Sequence, residues 1–131
     1  MKWRAVRDLP TGPALLALAR DVLLHELMPL LPPTAHLEAR LVANSMAIAE
    51  REAISGAAPA QGILHELKEL CGEEGGEGEQ GLLRRFARDL RAGAFEEGEP
   101  RERRAREILW RLTIAKLRDA NPRFLNANGF G

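Results

Sequence analysis

The stretch that decides the fold is RERRAREILWRLTIAKLRDA, residues 101–120, which lies between Pro100 and the pair Asn121-Pro122. Its apolar side chains recur at helical spacing and do not alternate as they would in a strand. Pro100 suits the start of a helix, and Pro122 disfavours helical geometry at Asn121. The stretch therefore predicts one long helix, the last and longest of the chain, that ends at about Asn121.

This helix carries apolar side chains on two opposed faces, because each residue turns the helix by about 100°. The faces are Ile108, Leu112 and Ala115 on one side, and Trp110, Ile114 and Leu117 on the other. Two faces indicate either that the helix is central, with helices on both sides, or that it packs against another chain. The second alternative predicts a two-fold homodimer with Trp110, Ile114 and Leu117 as its interface.

Start and stop signals outline four further helices. The predicted segments are 13–31, 35–55, 59–71 and 82–95. Prolines start the first and third, Thr34 is the predicted cap of the second, and Gly56, Gly72 and Gly93 mark ends. Five helices joined by mostly short loops predict an all-α fold, a compact and largely antiparallel bundle. The length of 131 residues predicts a single domain, 1–131.

Two segments are predicted to lie outside the helices. Residues 72–80 combine many glycines with many glutamates, a composition typical of a flexible, solvated acidic loop. Residues 126–131, NANGFG, are predicted to form a short C-terminal tail. Before this tail, Phe124 and Leu125 are apolar, and we expect at least one of them to pack back onto the bundle.

Composition limits the class of protein. Hydrophobic residues make up 45% and charged residues 29% of the chain, as in soluble globular proteins. Nineteen basic side chains balance nineteen acidic ones, so the net charge favours neither nucleic acid nor an anionic membrane as a partner. Arg20 and Asp21 interrupt the Leu-rich segment 13–31, which argues against a membrane span. A single cysteine, Cys71, agrees with a reducing compartment, and we expect a cytoplasmic protein.

Charge is nevertheless uneven along the chain. Residues 101–118 contain seven basic and two acidic side chains, a net charge of +5, whereas residues 65–80 have a net charge of −5. The two segments can be separate solvated surfaces, can pair within one chain or between two, or can leave a basic surface for an acidic partner.

No residue is predicted to be catalytic, to bind a cofactor or to bind a metal. The three histidines, His25, His36 and His65, form no metal-binding motif, and Ser45 and Ser55 lack the context of a nucleophile. No phosphate-binding glycine motif is present. The sequence thus favours a non-enzymatic role without deciding it.

Asn44 is the most informative polar residue, because it falls among Leu37, Leu41 and Ile48, the apolar stripe predicted for the second helix. A buried amide without a partner costs roughly 1–3 kcal/mol, so we expect Asn44 to bond to a specific group. The turn after the last helix also needs partners. We therefore predict a polar site formed by Arg40, Asn44, Asn121 and Arg123. Asn44 can serve there as a packing residue or as a ligand-binding residue.

Three segments together resemble a known family: EARLVANSMAIAERE (38–52), RDLRAGAF (88–95) and KLRDANPRFL (116–125). The family is an uncharacterised group of small bacterial helical proteins. Its members occur beside, or fused after, kinase-like proteins of the aminoglycoside phosphotransferase type, often near genes for acyl-CoA dehydrogenases. The resemblance implies a partner rather than a reaction.

Two functions follow as hypotheses. The first is a non-catalytic accessory or regulatory module, itself a homodimer, associated with a phosphotransferase-like or acyl-CoA-metabolising enzyme. The second is a small-molecule-binding bundle with an apolar pocket near Asn44, Arg40 and Arg123. An independent enzyme ranks third, because neither a nucleophile nor a base can be named.

Overall fold

The computed structural model describes residues 9–72 and 78–131. These ranges contain six α-helices and no strand. The helices are α1 (Gly12–Val22), α2 (His36–Ser55), α3 (Ala58–Cys71), α4 (Gly78–Arg91), α5 (Glu102–Ala120) and α6 (Pro122–Ala127). The all-α prediction is confirmed, with one short helix more than the five expected.

The chain divides into two compact units, an N-terminal unit of residues 1–56 and a C-terminal unit of residues 57–131. The division falls at Gly56, where α2 ends with a positive φ of 70°. The single domain 1–131 stays a prediction, and each unit is described by itself.

The N-terminal unit is a helical hairpin in which α1 packs along α2. Thr11 caps α1, because its Oγ1 accepts a hydrogen bond from the Ala14 N–H at 3.4 Å. After α1 the chain continues through a π-helical turn, Leu23–Leu27, and a 3-10 turn, Met28–Leu30. Pro29 explains this change, since it cannot donate a backbone hydrogen bond and its ring crowds the preceding turn. The prediction that proline ends or kinks the first helix is confirmed.

The core of the hairpin differs from the one predicted. The buried residues of its described part are Ala39, Ala43 and Ala47, on three successive turns of α2. Leu37 and Leu41, predicted to face the core, are 65% and 58% exposed. Alanines let two helix backbones approach closely, so α1 packs on the alanine stripe and leaves the leucine side of α2 outside. Thr34, the predicted cap, instead lies in a 3-10 turn, Pro33–Ala35, and no side chain caps α2.

The C-terminal unit has a core of larger side chains. α3 packs against both α4 and α5. The buried core residues are Ile63, Leu67, Leu70, Leu82, Phe86, Phe95, Ala105 and Ile108. Leu112 and Ala115 pack against this cluster, so the first predicted face of the long helix is confirmed as its core face. The predicted α3 end at Gly72 is also confirmed.

The start of α4 corrects the predicted loop 72–80. Residues 78–80 belong to α4, Gly72 directly follows α3, and residues 73–77 lie outside the described ranges. Glu79 stands in the first turn of α4, where the helix macrodipole favours a negative charge. At its other end α4 stops at Arg91, close to the predicted stop at Gly93, and Phe95 reaches the core from the following turn.

The chain turns sharply after α5. Asn121 has φ −151° and ψ 70°, outside the helical region, and its N–H still donates to the Leu117 carbonyl at 2.8 Å. The predicted helix end is thus confirmed. The side chain of Asn121 does not cap α5, because its Oδ1 accepts from the Phe124 N–H at 3.2 Å and so caps α6.

The predicted tail 126–131 is also corrected. Asn126 and Ala127 complete α6, and the Asn128 side-chain amide donates to the Phe124 carbonyl at 2.8 Å. The Phe130 N–H donates to the Leu125 carbonyl at 2.9 Å. Leu125 is only 2% exposed, which confirms that this segment packs back, whereas Phe124 is 50% exposed.

These two neighbours give a matched pair of variants. Leu125→Ala should lower the free energy of unfolding by about 2–5 kcal/mol, because it removes a buried side chain and leaves a cavity. Phe124→Ala should lower it by less than about 1 kcal/mol. Urea denaturation followed by circular dichroism measures both. Equal losses for the two variants would contradict the described packing of α6.

Candidate functional site

The charged segments noted in the sequence pair within the C-terminal unit. Glu66 of α3 forms an ion pair with Arg111 of α5 through one carboxylate oxygen, and its other oxygen lies 3.5 Å from the Arg104 guanidinium. Arg104 also lies 3.5 Å from Glu69. Glu66 is largely buried, which strengthens its interactions relative to those of surface pairs. Part of the excess charge on α5 therefore serves to hold α3, which is the alternative of pairing within one chain.

Two further arginines bind the end of α3. Arg101 Nη1 donates to the Leu70 carbonyl at 2.6 Å, and Arg85 Nη2 donates to the carbonyls of Cys71 (2.6 Å) and Gly72. The last carbonyls of a helix lack partners in the helix and carry negative partial charge, so cations are favoured there. The Arg101 guanidinium also lies 5.1 Å from the centre of the Phe95 ring, a cation–π contact.

Cys71 lies beside these contacts and is half-buried. Burial raises the pKa of the Cys71 thiol above its ordinary value, and the nearby Arg85 guanidinium opposes this rise in part. A thiol with a raised pKa is protonated at neutral pH, and a protonated thiol is a poor nucleophile. Cys71 therefore acts as a packing residue at the edge of the core.

The histidines make local contacts. His25 Nδ1 lies 2.9 Å from an Asp21 carboxylate oxygen, and His65 Nε2 lies 3.2 Å from Glu69. His36 Nε2 lies 3.1 Å from the Leu31 carbonyl oxygen. Within residues 9–72 and 78–131, no group of three His, Cys, Asp or Glu side chains is placed to hold a metal ion.

The predicted polar site falls into two pairs. Arg40 and Asn44 lie one turn apart on α2, and both are exposed. Asn121 and Arg123 lie together at the corner between α5 and α6 and are also exposed. The expectation that Asn44 is buried is wrong, because α1 packs against the alanine side of α2. The pairs belong to different compact units, so the grouping of all four residues stays a prediction.

The predicted interface on α5 is partly covered by the chain itself. Ile114 and Leu117 are half-buried, and Trp110 is 53% exposed. The Phe130 ring meets the Trp110 ring edge-on, with 5.2 Å between ring centres. The sequence reasoning missed Phe130, although an aromatic residue in a tail of Asn and Gly was a signal. Homodimerisation through this face stays a prediction.

Large apolar side chains are exposed on the N-terminal unit. The exposed large side chains of its two α-helices are Leu15, Leu18, Leu37, Leu41, Val42 and Ile54. Among them, Leu37 and Leu41 lie one turn apart on the same side of α2, and neighbouring exposed leucines are typical of surfaces that bind another protein. None of the described helices is both long enough and apolar enough to cross a membrane. The sequence reasoning missed this surface because it assigned the leucines of α2 to the core.

Comparison with known proteins identifies the family. A family model for the domain of unknown function DUF6285 matches residues 29–124, and the chain belongs to this family. The match includes α2, α3, α4 and α5 completely. No curated protein and no solved structure matches the chain. The match confirms that the chain belongs to an uncharacterised domain family, as the resemblance led us to expect.

The contact between Trp110 and Phe130 can be tested by fluorescence. Phe130→Ala should expose more of the Trp110 indole to water, shift its emission to longer wavelength, and lower stability by about 0.5–1.5 kcal/mol. Trp3→Phe in the background leaves Trp110 as the only tryptophan. Phe124→Ala is the matched control and should leave the emission unchanged. An unshifted spectrum for Phe130→Ala would show that the two rings do not meet.

Proposed function

We propose that this member of the DUF6285 family is a cytoplasmic, non-catalytic accessory or regulatory module that binds a protein partner through its N-terminal hairpin. The observation that carries the proposal is the exposure of the large apolar side chains of α1 and α2, while three alanines are buried. The resemblance stated above favours a phosphotransferase-like or acyl-CoA-metabolising enzyme as the partner.

Energetics support the proposal. Burying a Leu, Val or Ile side chain gains about 1.5–3 kcal/mol relative to leaving it exposed, whereas alanine gains much less. A hairpin held by Ala39, Ala43 and Ala47 obtains little of this gain from its own contacts. A partner that covers Leu37 and Leu41 adds the missing burial. Binding of the partner would therefore also stabilise the folded hairpin.

The pattern of side chains on α2 also resembles that of an interface. Leu37, Leu41 and Ile48 form an apolar row that contains Asn44, and Arg40 lies at its edge. Interfaces commonly have an apolar centre and a polar rim. Asn44 can both donate and accept a hydrogen bond, so it would select partners with a matching group at that position. This use of Asn44 requires that it be exposed in the free chain, as it is.

The hairpin proposal predicts a specific loss of binding. Leu37→Ser combined with Leu41→Ser should weaken binding to the kinase-like neighbour at least ~10-fold, because each lost apolar anchor is worth about 1–3 kcal/mol. Helix content and melting temperature should change little, since both side chains are exposed.

The measurement is co-purification of the two co-expressed proteins, followed by calorimetric titration. Ile54→Ser is the control, because Ile54 is exposed on a different side of α2. Binding that survives the double variant, or that is absent for the unmodified chain, would contradict the proposal. A large thermal shift with an acyl-CoA or a nucleotide would instead favour the small-molecule alternative.

The homodimer is tested separately. If the Trp110 face joins two chains, the unmodified protein should be a dimer by light scattering and Trp110→Glu should be a folded monomer, because a buried carboxylate is costly. Lys116→Glu, a charge change at an exposed position of α5 that lies about 120° around the helix from Trp110, is the control. If the unmodified protein is a monomer, the Trp110 face does not join two copies of the chain.

A further inference from the structure

A row of arginines lies along the outer face of α4. Arg84, Arg88 and Arg91 are spaced at i, i+4 and i+7, which places them on one side of the helix. They line an open depression of about 660 Å³ together with Gln80, Gly81 and Arg85. The described lining contains no carboxylate and no aromatic ring. The row is therefore a concentrated positive surface on the C-terminal unit.

These three arginines make few ion pairs within the described residues. Arg84 and Arg91 form no ion pair with any residue of the ranges 9–72 and 78–131, and Arg88 approaches only its neighbour Asp89, at 4.0 Å. Arg101, just before α5, and Arg104 and Arg111 of α5, in contrast, all bind α3. Like charges one turn apart repel and destabilise a helix, so this spacing favours a ligand that neutralises them.

The row is held on a rigid support. On the opposite face of α4, Leu82 and Phe86 are buried in the core of the unit. Arg85 ties α4 to the end of α3 through its hydrogen bonds to the Cys71 and Gly72 carbonyls. Three guanidinium groups on a fixed helix can bind a matching row of anions without ordering a loop first.

The geometry selects the chemical class of ligand. At 1.5 Å per residue, the seven steps from Arg84 to Arg91 span roughly 10 Å along the helix, longer than a diphosphate. The lining contains no aromatic side chain on which a nucleotide base would stack. A chain with nineteen basic and nineteen acidic side chains is also a poor partner for nucleic acid. Carboxylates at i, i+4 and i+7 of another helix match both the spacing and the bidentate geometry of arginine.

We propose that Arg84, Arg88 and Arg91 form a docking surface for an acidic helical segment of a partner protein. This surface lies in the C-terminal unit and is independent of the apolar hairpin proposed above to bind a partner. Its failure and the failure of the hairpin proposal are distinguishable, because the two experiments change different units.

The test uses the full chain and a synthetic helix-forming peptide with glutamates at i, i+4 and i+7. Binding is followed by chemical-shift changes and fluorescence anisotropy at low ionic strength. We expect shifts confined to α4, weaker binding as salt is added, and at least ~10-fold weaker binding by the variant Arg84→Gln/Arg88→Gln/Arg91→Gln.

The control variant Arg103→Gln/Lys116→Gln/Arg118→Gln removes the same charge from exposed positions of α5 and should bind the peptide nearly as well as the unmodified chain. A peptide of the same composition with its glutamates spread around the helix should bind several-fold more weakly. Equal binding of the two peptides, equal losses in the two triple variants, or tighter binding of a single-stranded oligonucleotide would overturn the proposal.

Discussion

The last turn of α3 leaves backbone carbonyls without partners in the helix, and arginines from α4 and from the residue before α5 bind them. Arg85 comes from α4 and Arg101 from just before α5, so one helix end connects three helices. Because these bonds are charge-assisted, they are shorter and stronger than bonds between neutral groups. Glu66 extends the same arrangement one turn earlier through Arg104 and Arg111. The orientation of α5, and with it the position of every side chain on its outer face, depends on these contacts.

The two units use their apolar residues in opposite ways. In the C-terminal unit Leu, Ile and Phe side chains fill the core and arginines lie outside. In the N-terminal unit alanines lie inside and leucines lie outside. The first arrangement gives a unit that is stable through its own contacts, and the second gives a surface that gains stability when it is covered. Large and small apolar side chains thus take opposite positions in the two parts of one short chain.

Sequence periodicity predicted the helices and the core face of α5 correctly, because Ile108, Leu112 and Ala115 meet large neighbours on α3 and α4. It failed on α2. That helix has apolar residues on several sides, and periodicity alone gives no reason to prefer alanines over leucines as the buried side. The choice depends on how closely α1 can approach, which is a property of the pair of helices.

The candidate site shows the same limit. The sequence indicated that Asn121 lies at a helix boundary. It did not predict the helix that Asn121 caps, α6, because the segment after Pro122 is short and rich in Asn and Gly. Phe130 was missed for the same reason, since its partner Trp110 is twenty residues earlier. The pairing of Glu66 with Arg104 and Arg111 was left open, because net charges of segments do not specify which side chains face each other.

The alanine stripe has a consequence for the mechanics of the hairpin. Small side chains interlock little across a helix pair, so they resist sliding of α1 along α2 only weakly. The axial position of α1 must then be fixed by the connection between the helices, where Pro29, Pro32 and Pro33 restrict the backbone. The connection acts as a stiff spacer, and its prolines limit how far α1 can shift along α2.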